Sequence, residues 1–238
     1  MVGSLFFCSC ALFHNIFPSS GRTSMVKELK IPNPTIKRLA IYSRPLEILL
    51  ENGPPVISSE KLAGLCGVNP AQVRKDLAYF GEFGIRGVGY DVRDLLNAIK
   101  GILATDRKWS LCIVGMGHLG SSLVQSDNFK KRGYMVKAAF DSDARKVGKK
   151  LACGLTIQAA SSISKSVKNL GIEIGLVTTP PHEAQRVAHL LQEGGVRAIL
   201  NFTTIQIRTR KNCVIENTDL SVKFENLVYH LEQLDKMV

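Results

Sequence analysis

Apolar residues recur at helical spacing through the first third of the chain, then give way to short unbroken runs, which predicts two architectures in series. From Ile31 to about Ala104 the pattern is helical with short interruptions. Asn33-Pro34 can open a helix as cap and first residue, and Ile36, Leu39, Leu46, Ile48, Leu49 and Leu50 supply its apolar side. Pro45 predicts a kink or a restart, and Asn52-Gly53-Pro54-Pro55 ends the helix. Ser58 caps a second helix reaching Cys66, with Glu60 in the first turn, where the helix dipole favours an acid. After a tight Gly67-Val68 turn, Asn69-Pro70-Ala71-Gln72 starts a third helix, with Asn as cap and Gln three residues on, a relative of the capping box.

Two short helices joined by a glycine turn suggest a helix-turn-helix. Val73, Leu77 and Phe80 share one face of the second; Ala71, Lys75, Ala78 and Tyr79, flanked by Gln72 and Arg74, share the other. Small residues beside long polar ones suit a helix that approaches base edges and phosphates, although an ordinary solvated helix carries the same pattern. Residues 81–90 place four glycines among alternating side chains, as a β-hairpin wing would, with Arg86 at its tip; a flexible glycine loop is the alternative. Asp91 to Leu103 predicts a further amphipathic helix, and residues 104–109 an inter-domain joint.

In the second half, the buried-strand run Leu111–Val114 leads into Gly115-Met116-Gly117-His118-Leu119-Gly120 and then a helix to about Gln125. A strand before and a helix after are what the dinucleotide fingerprint requires. Its glycines allow the tight turn, the approach of a pyrophosphate and close helix–strand packing. The next strand, Met135–Phe140, ends in Asp141, placed to bind a ribose 2′-hydroxyl and repel a 2′-phosphate; NAD(H) is favoured over NADP(H), with Arg145 and Lys146 leaving the second open. Helices over 162–169 and 182–193 alternate with strands over 172–178, 198–202 and 213–216, which gives an α/β Rossmann-type parallel sheet. Strand ends carry ligands in such sheets, so Thr178, Thr179, Pro180, Asn201 and Phe202 are candidates to line a nicotinamide pocket, against plain turn chemistry. A last helix over 219–234 is apolar enough to need a partner surface.

Composition adds less. The 238 residues carry a net charge of +11, which suggests an acidic partner such as nucleic acid or serves solubility alone. Residues 25–105 hold +3 of it and 106–238 hold +7, with the densest basic stretch at 130–150 around Asp141, where it is a candidate to help hold an anionic dinucleotide. Six cysteines without a CxxC pair predict reduced thiols in the cytoplasm and no metal site, and no apolar run is long enough to span a membrane. Residues 1–24 are apolar but lack a basic start. They are expected to be a disordered or non-native leader, with Met25 as a start and a signal peptide as the alternative. No Tyr-x-x-x-Lys dyad and no room for a substrate domain argue against a dehydrogenase, so no catalytic residue is assigned.

The strings 72–81 (QVRKDLAYFG), 86–90 (RGVGY), the fingerprint at 115–120 and 195–202 (GVRAILNF) closely resemble the Rex family of redox-sensing transcriptional repressors, over about Ile31 to Leu231. The resemblance implies a winged helix-turn-helix DNA-binding domain over 25–105, a Rossmann NAD(H)-binding domain over 106–217 and a C-terminal helix over 218–238 exchanged within a homodimer. It implies binding to palindromic operator DNA when NADH is scarce and release when NADH binds. Carried over by position, Gln72, Arg74, Lys75 and Tyr79 lie on the recognition helix and Arg86 and Tyr90 on the wing, with Ser58 beside them as a further DNA contact. Gly115, Gly117, Gly120 and Asp141 lie in the NAD(H) site, joined there by Met116, His118, Leu119, Thr179, Pro180, Asn201 and Phe202. Ser126, Leu220, Thr204 and Pro45 depart from the family's pattern.

Overall fold

Buried positions 35, 39, 42, 43 and 46 fall on one stripe of the first helix, α1 (Asn33–Asn52), and that stripe anchors the N-terminal unit. The structure is a computed structural model that describes residues 31–85 and 87–236; the leader and Arg86 lie outside the described residues. α1 runs unbroken through Pro45, so the expected restart does not occur, and one ladder hydrogen bond is forgone instead. Tyr42 takes part in the stripe, while Ile48 and Leu50 stand exposed.

A two-residue strand, β1 (Val56–Ile57), leads into α2 (Ser59–Cys66), where Ser58 Oγ accepts the Lys61 N–H at 3.2 Å as the cap. Gly67 turns in the left-handed region, and Asn69 caps α3 (Pro70–Ala78) by accepting the Ala71 N–H at 2.8 Å. The capping box does not close: Gln72 donates to Asp76 instead. β2 (Tyr90–Asp91) pairs antiparallel with β1. Between α3 and β2, Ile85 and Gly89 bridge as the base of the expected hairpin. Gly84 and Gly89 have positive φ, and a Cβ on Gly89 would lie 2.5 Å from the Ile57 carbonyl, so glycine is required for that strand to close on β1.

The chain divides after Val92 into two compact units, earlier than the 105/106 boundary expected from the sequence, and α4 (Val92–Ile102) falls in the second but for its first residue. That unit is built on a six-stranded sheet of β3 (Trp109–Val114), β4 (Tyr134–Asp141), β5 (Ile157–Ala159), β6 (Ile174–Val177), β7 (Ala198–Asn201) and β8 (Val214–Asn217). All are parallel, in the order β5-β4-β3-β6-β7-β8. Alternate residues of β3 enter different cores. Cys112 and Val114 pack with α7 (Ile163–Leu170) and α8 (Pro181–Glu193), Leu111 and Ile113 with α5 (His118–Val124) and α6 (Asp127–Lys131). This is the doubly wound Rossmann arrangement, and its topological switch point lies between β3 and β6. β1, β5 and α6 were not anticipated; each is five residues or fewer, too short for a periodic signal. α9 (Leu220–Asp235) is capped by Asp219 and has no buried residue.

Candidate functional sites

In the N-terminal unit, α2, α3 and the hairpin enclose a groove of about 740 Å³. Of the proposed DNA contacts, Ser58, Arg74 and Tyr90 line it. Lys75 is exposed on α3 beside it, with no ion-pair partner among the described residues. Arg74 is already engaged: Nη1 donates to Ser59 Oγ at 2.7 Å and to Glu60 Oε1 at 3.1 Å. Tyr79 caps the end of α3 half-buried, and Tyr90 is only 8% exposed, so it floors the groove and offers little to a duplex. Gln72 likewise turns inward to Asp76 rather than outward as expected. The exposed face of α3 is Ala71, Arg74, Lys75 and Ala78.

Asp76 stands outside the residues expected from the sequence. Fully buried, its carboxylate accepts from Thr35, Arg38, Tyr42 and Gln72 and so fastens α3 to α1. Burial alone would raise its pKa, but these donors outweigh it and hold the group down at about 2. Its spacing from Val73, three residues on the same face, was the available signal.

In the second unit, a cavity of about 460 Å³ opens at the carboxyl ends of β3 and β6. It gathers Gly115, Gly117, Asp141, Thr179 and Pro180 from the expected set. The three fingerprint glycines differ physically. Gly115 has φ +100°, and a Cβ there would lie 2.6 Å from the Thr178 carbonyl; a Cβ on Gly120 would press on the Gly115 carbonyl. A Cβ on Gly117 would meet nothing, so that side is open to a ligand. Thr178 Oγ1 donates to the Val114 and Gly115 carbonyls, which pins the two strand ends together. The Thr179 hydroxyl is buried without a partner among the described residues, and it belongs to the cavity wall; a ligand hydroxyl or amide would satisfy it.

Asp141 ends β4 and is 7% exposed. Its Oδ2 accepts the Met116 N–H at 2.8 Å and Lys146 Nζ at 3.0 Å, and Oδ1 accepts the Asp143 N–H at 2.8 Å. Burial raises its pKa, but these bonds prevail and keep it below the usual range. The carboxylate therefore also ties the glycine loop to β4. His118 and Leu119 are exposed at the start of α5, and Met116 is in the core, where its backbone N–H does the contacting.

Asn201 and Phe202 do not line the cavity. Asn201 is fully buried and spends its side chain locally: Nδ2 donates to the Ile205 carbonyl and Asn217, and Oδ1 accepts from the Thr203 N–H and hydroxyl. Turn chemistry accounts for it. Of the eight bases in the 130–150 stretch, only Lys146 lines the cavity; Lys130 lines a separate hollow beside α6, and Lys137 donates to the Leu170 carbonyl. The stretch as a whole therefore does not form the dinucleotide site. Ser142, Asp143, Glu183 and Arg186 are additional wall residues, legible only as neighbours of strand ends at the switch point.

Residues 30–78 match the family model described as "Putative DNA-binding protein N-terminus", and residues 106–205 match the CoA binding domain model. A redox-sensing transcriptional repressor Rex of Syntrophobacter fumaroxidans is 52% identical over 206 residues, covering 87% of this chain and 98% of that protein. The solved structure of RSP in complex with β-NAD⁺ and operator DNA aligns with a TM-score of 0.82 at 32% identity, over 87% of this chain and 95% of that one. RSP in complex with β-NADH aligns at 0.79 and 31% identity, over 87% of this chain and 97% of that one.

Proposed function

The chain belongs to the Rex family of redox-sensing transcriptional repressors, and we propose that it binds palindromic operator DNA as a homodimer when NADH is scarce and leaves it when NADH binds. It is a transcriptional repressor and not an enzyme. Its place of action is the cytoplasm, where operator DNA and NADH meet. The observation that carries the redox half is the open side of Gly117 between two sterically closed glycines, at the switch point and beside Asp141. That is the cradle a pyrophosphate needs, with ribose hydroxyls reaching the strand-end carboxylate. The nicotinamide falls to the β6 end, where the Thr179 hydroxyl lacks a partner among the described residues and Pro180 opens α8.

For DNA, α3 acts as the recognition helix and presents Lys75, with Arg74 beside it, to the major groove; the wing contact expected of Arg86 from the sequence lies outside the described residues. Ser58 supplies a hydroxyl at the groove's rim. α9 supports the homodimer. Leu220, Phe224, Leu227, Leu231 and Leu234 are each 56–65% exposed in the single chain, and an isolated helix of 16 residues is marginal in water. A second copy that takes this face gives the twofold symmetry a palindrome requires.

NADH acts as an effector only if it binds the DNA-incompetent arrangement more tightly than the competent one. NAD⁺ and NADH differ at the ring alone, so the β6 end and α9 are the readers of redox state. The test is direct binding of each ligand alone: NADH by its fluorescence on the full chain, and a palindromic duplex recovered from a random-sequence pool by gel shift. Specific binding of both is expected; failure of either removes that half of the reading.

A further inference from the structure

The end of β4 and the loop that follows hold two carboxylates and two bases, Asp141, Asp143, Arg145 and Lys146, and each base is paired with one of the acids. Arg145 Nε donates to Asp143 Oδ1 at 3.0 Å and Nη2 to Oδ2 at 2.9 Å, while the Arg145 backbone N–H also reaches Oδ1 at 2.9 Å. The result is a two-pronged fork closed on a two-residue turn. Asp143 lines the dinucleotide cavity; Arg145 does not, and its side chain is 88% exposed.

Position gives this pair its meaning. A guanidinium a few residues beyond the strand-end acid is the group that accommodates a 2′-phosphate in dinucleotide-binding folds. Arg145 stands four residues beyond Asp141, so the chain carries the part needed to accept the phosphorylated cofactor. Its guanidinium is committed to Asp143 through both prongs of the fork. To bind a 2′-phosphate, Arg145 would have to leave Asp143, which would then stand unpaired beside a dianion at the cavity wall. Lys146 offers no substitute, because its ammonium is held by Asp141 at 3.0 Å.

Resting on the dinucleotide reading above, we propose that Asp143 is a specificity-determining residue: by holding Arg145 in this fork it withholds the guanidinium from a 2′-phosphate and keeps NADPH out. Arg145 is exposed and Asp143 partly so, and an ion pair of this kind contributes little to folding. Asp143→Asn also retains an oxygen for the Arg145 N–H and so keeps the turn.

NADH and NADPH affinities are measured by nicotinamide fluorescence on the full chain, for the wild type, Asp143→Asn, Arg145→Ala and the double variant. Asp143→Asn is expected to shift the affinity ratio towards NADPH by about tenfold, the scale of one additional charge-assisted hydrogen bond. Arg145→Ala, which leaves Asp143 unpaired at the cavity wall, does not raise NADPH affinity, and the double variant returns to the wild-type ratio. An unchanged ratio in Asp143→Asn overturns the proposal, and so does a shift that survives in the double variant, since Asp143 would then act by repulsion alone. A wild-type chain that binds no NADH overturns the dinucleotide reading and this proposal with it; wild-type NADH binding beside an unchanged ratio overturns this proposal only.

Discussion

Arg38 grips Asp76 with two arms of its guanidinium, Nε to Oδ2 at 2.6 Å and Nη2 to Oδ1 at 2.7 Å, and so fixes the proposed recognition helix to α1. Tyr42 adds its hydroxyl at 2.7 Å; burial first and then this bond push the Tyr42 pKa up, while the bond to Asp76 raises that of Arg38. A carboxylate with no solvent exposure is stable as an anion only while these donors remain. Asp76→Ala is therefore expected to destabilise the N-terminal unit by about 3 kcal/mol in denaturant melts, since it strands Arg38 and Tyr42.

The same carboxylate gives a pH dependence. Its folded pKa, about 2, lies below the ordinary value of 3.8, so the folded unit binds fewer protons than the unfolded chain in that window. Its contribution is complete above pH ~4 and fades as the pH falls towards 2, a loss of about 2 kcal/mol. Stability followed between pH 5 and 2 should fall more steeply in the wild type than in Asp76→Asn.

The glycine loop separates binding from folding. Gly117 has room for a side chain and a φ of −79°, which any residue adopts, so Gly117→Val should melt with the wild type yet lose NADH binding by filling the pyrophosphate approach. Operator binding should persist without a response to NADH. Gly120→Ala, by contrast, drives a Cβ against the Gly115 carbonyl and is expected to lower the thermal midpoint.

Much of this was legible in the pattern of residues. The fingerprint between β3 and α5, the Asp141 strand end, and the caps at Ser58 and Asn69 all arise from local chemistry, and the structure has each where the spacing puts it. What escaped was set by long-range partners. Asp76 and Gln72 look like outward polar residues until Thr35, Arg38 and Tyr42, more than thirty positions earlier, are brought beside them. Asn201 looks like a ligand residue until Asn217 and the Ile205 carbonyl take its amide. Pro45 looks like a break, yet the packing of Leu39, Tyr42 and Leu46 on one stripe carries the helix across it.

Lys75 is the cleanest probe of the DNA surface, because it is exposed and has no ion-pair partner among the described residues. Lys75→Ala should weaken operator binding by about 1–3 kcal/mol if it reads a base, or lower the salt slope by about one if it meets a phosphate. Arg74→Ala also breaks the contacts to Ser59 and Glu60, so its effect mixes DNA contact with α2–α3 packing. Titrations at several salt concentrations separate the two outcomes for Lys75.

α9 should carry the dimer. Leu227→Glu with Leu231→Glu places charge on a face that is 63% and 56% exposed in the single chain, so neither unit's core is disturbed. Sedimentation should show a dimer for the wild type and a monomer for the double variant, with half-site DNA binding only.

Coupling between the two ligands is the centre of the proposed function. Affinity for a palindromic duplex selected by this chain is measured across an NADH series, with NAD⁺ in parallel, and NADH affinity is then measured with and without the duplex. Operator affinity should fall saturably with NADH and much less with NAD⁺, and the duplex should weaken NADH binding by the same factor, as linkage requires. Operator affinity that is the same at saturating NADH as in its absence would contradict the account.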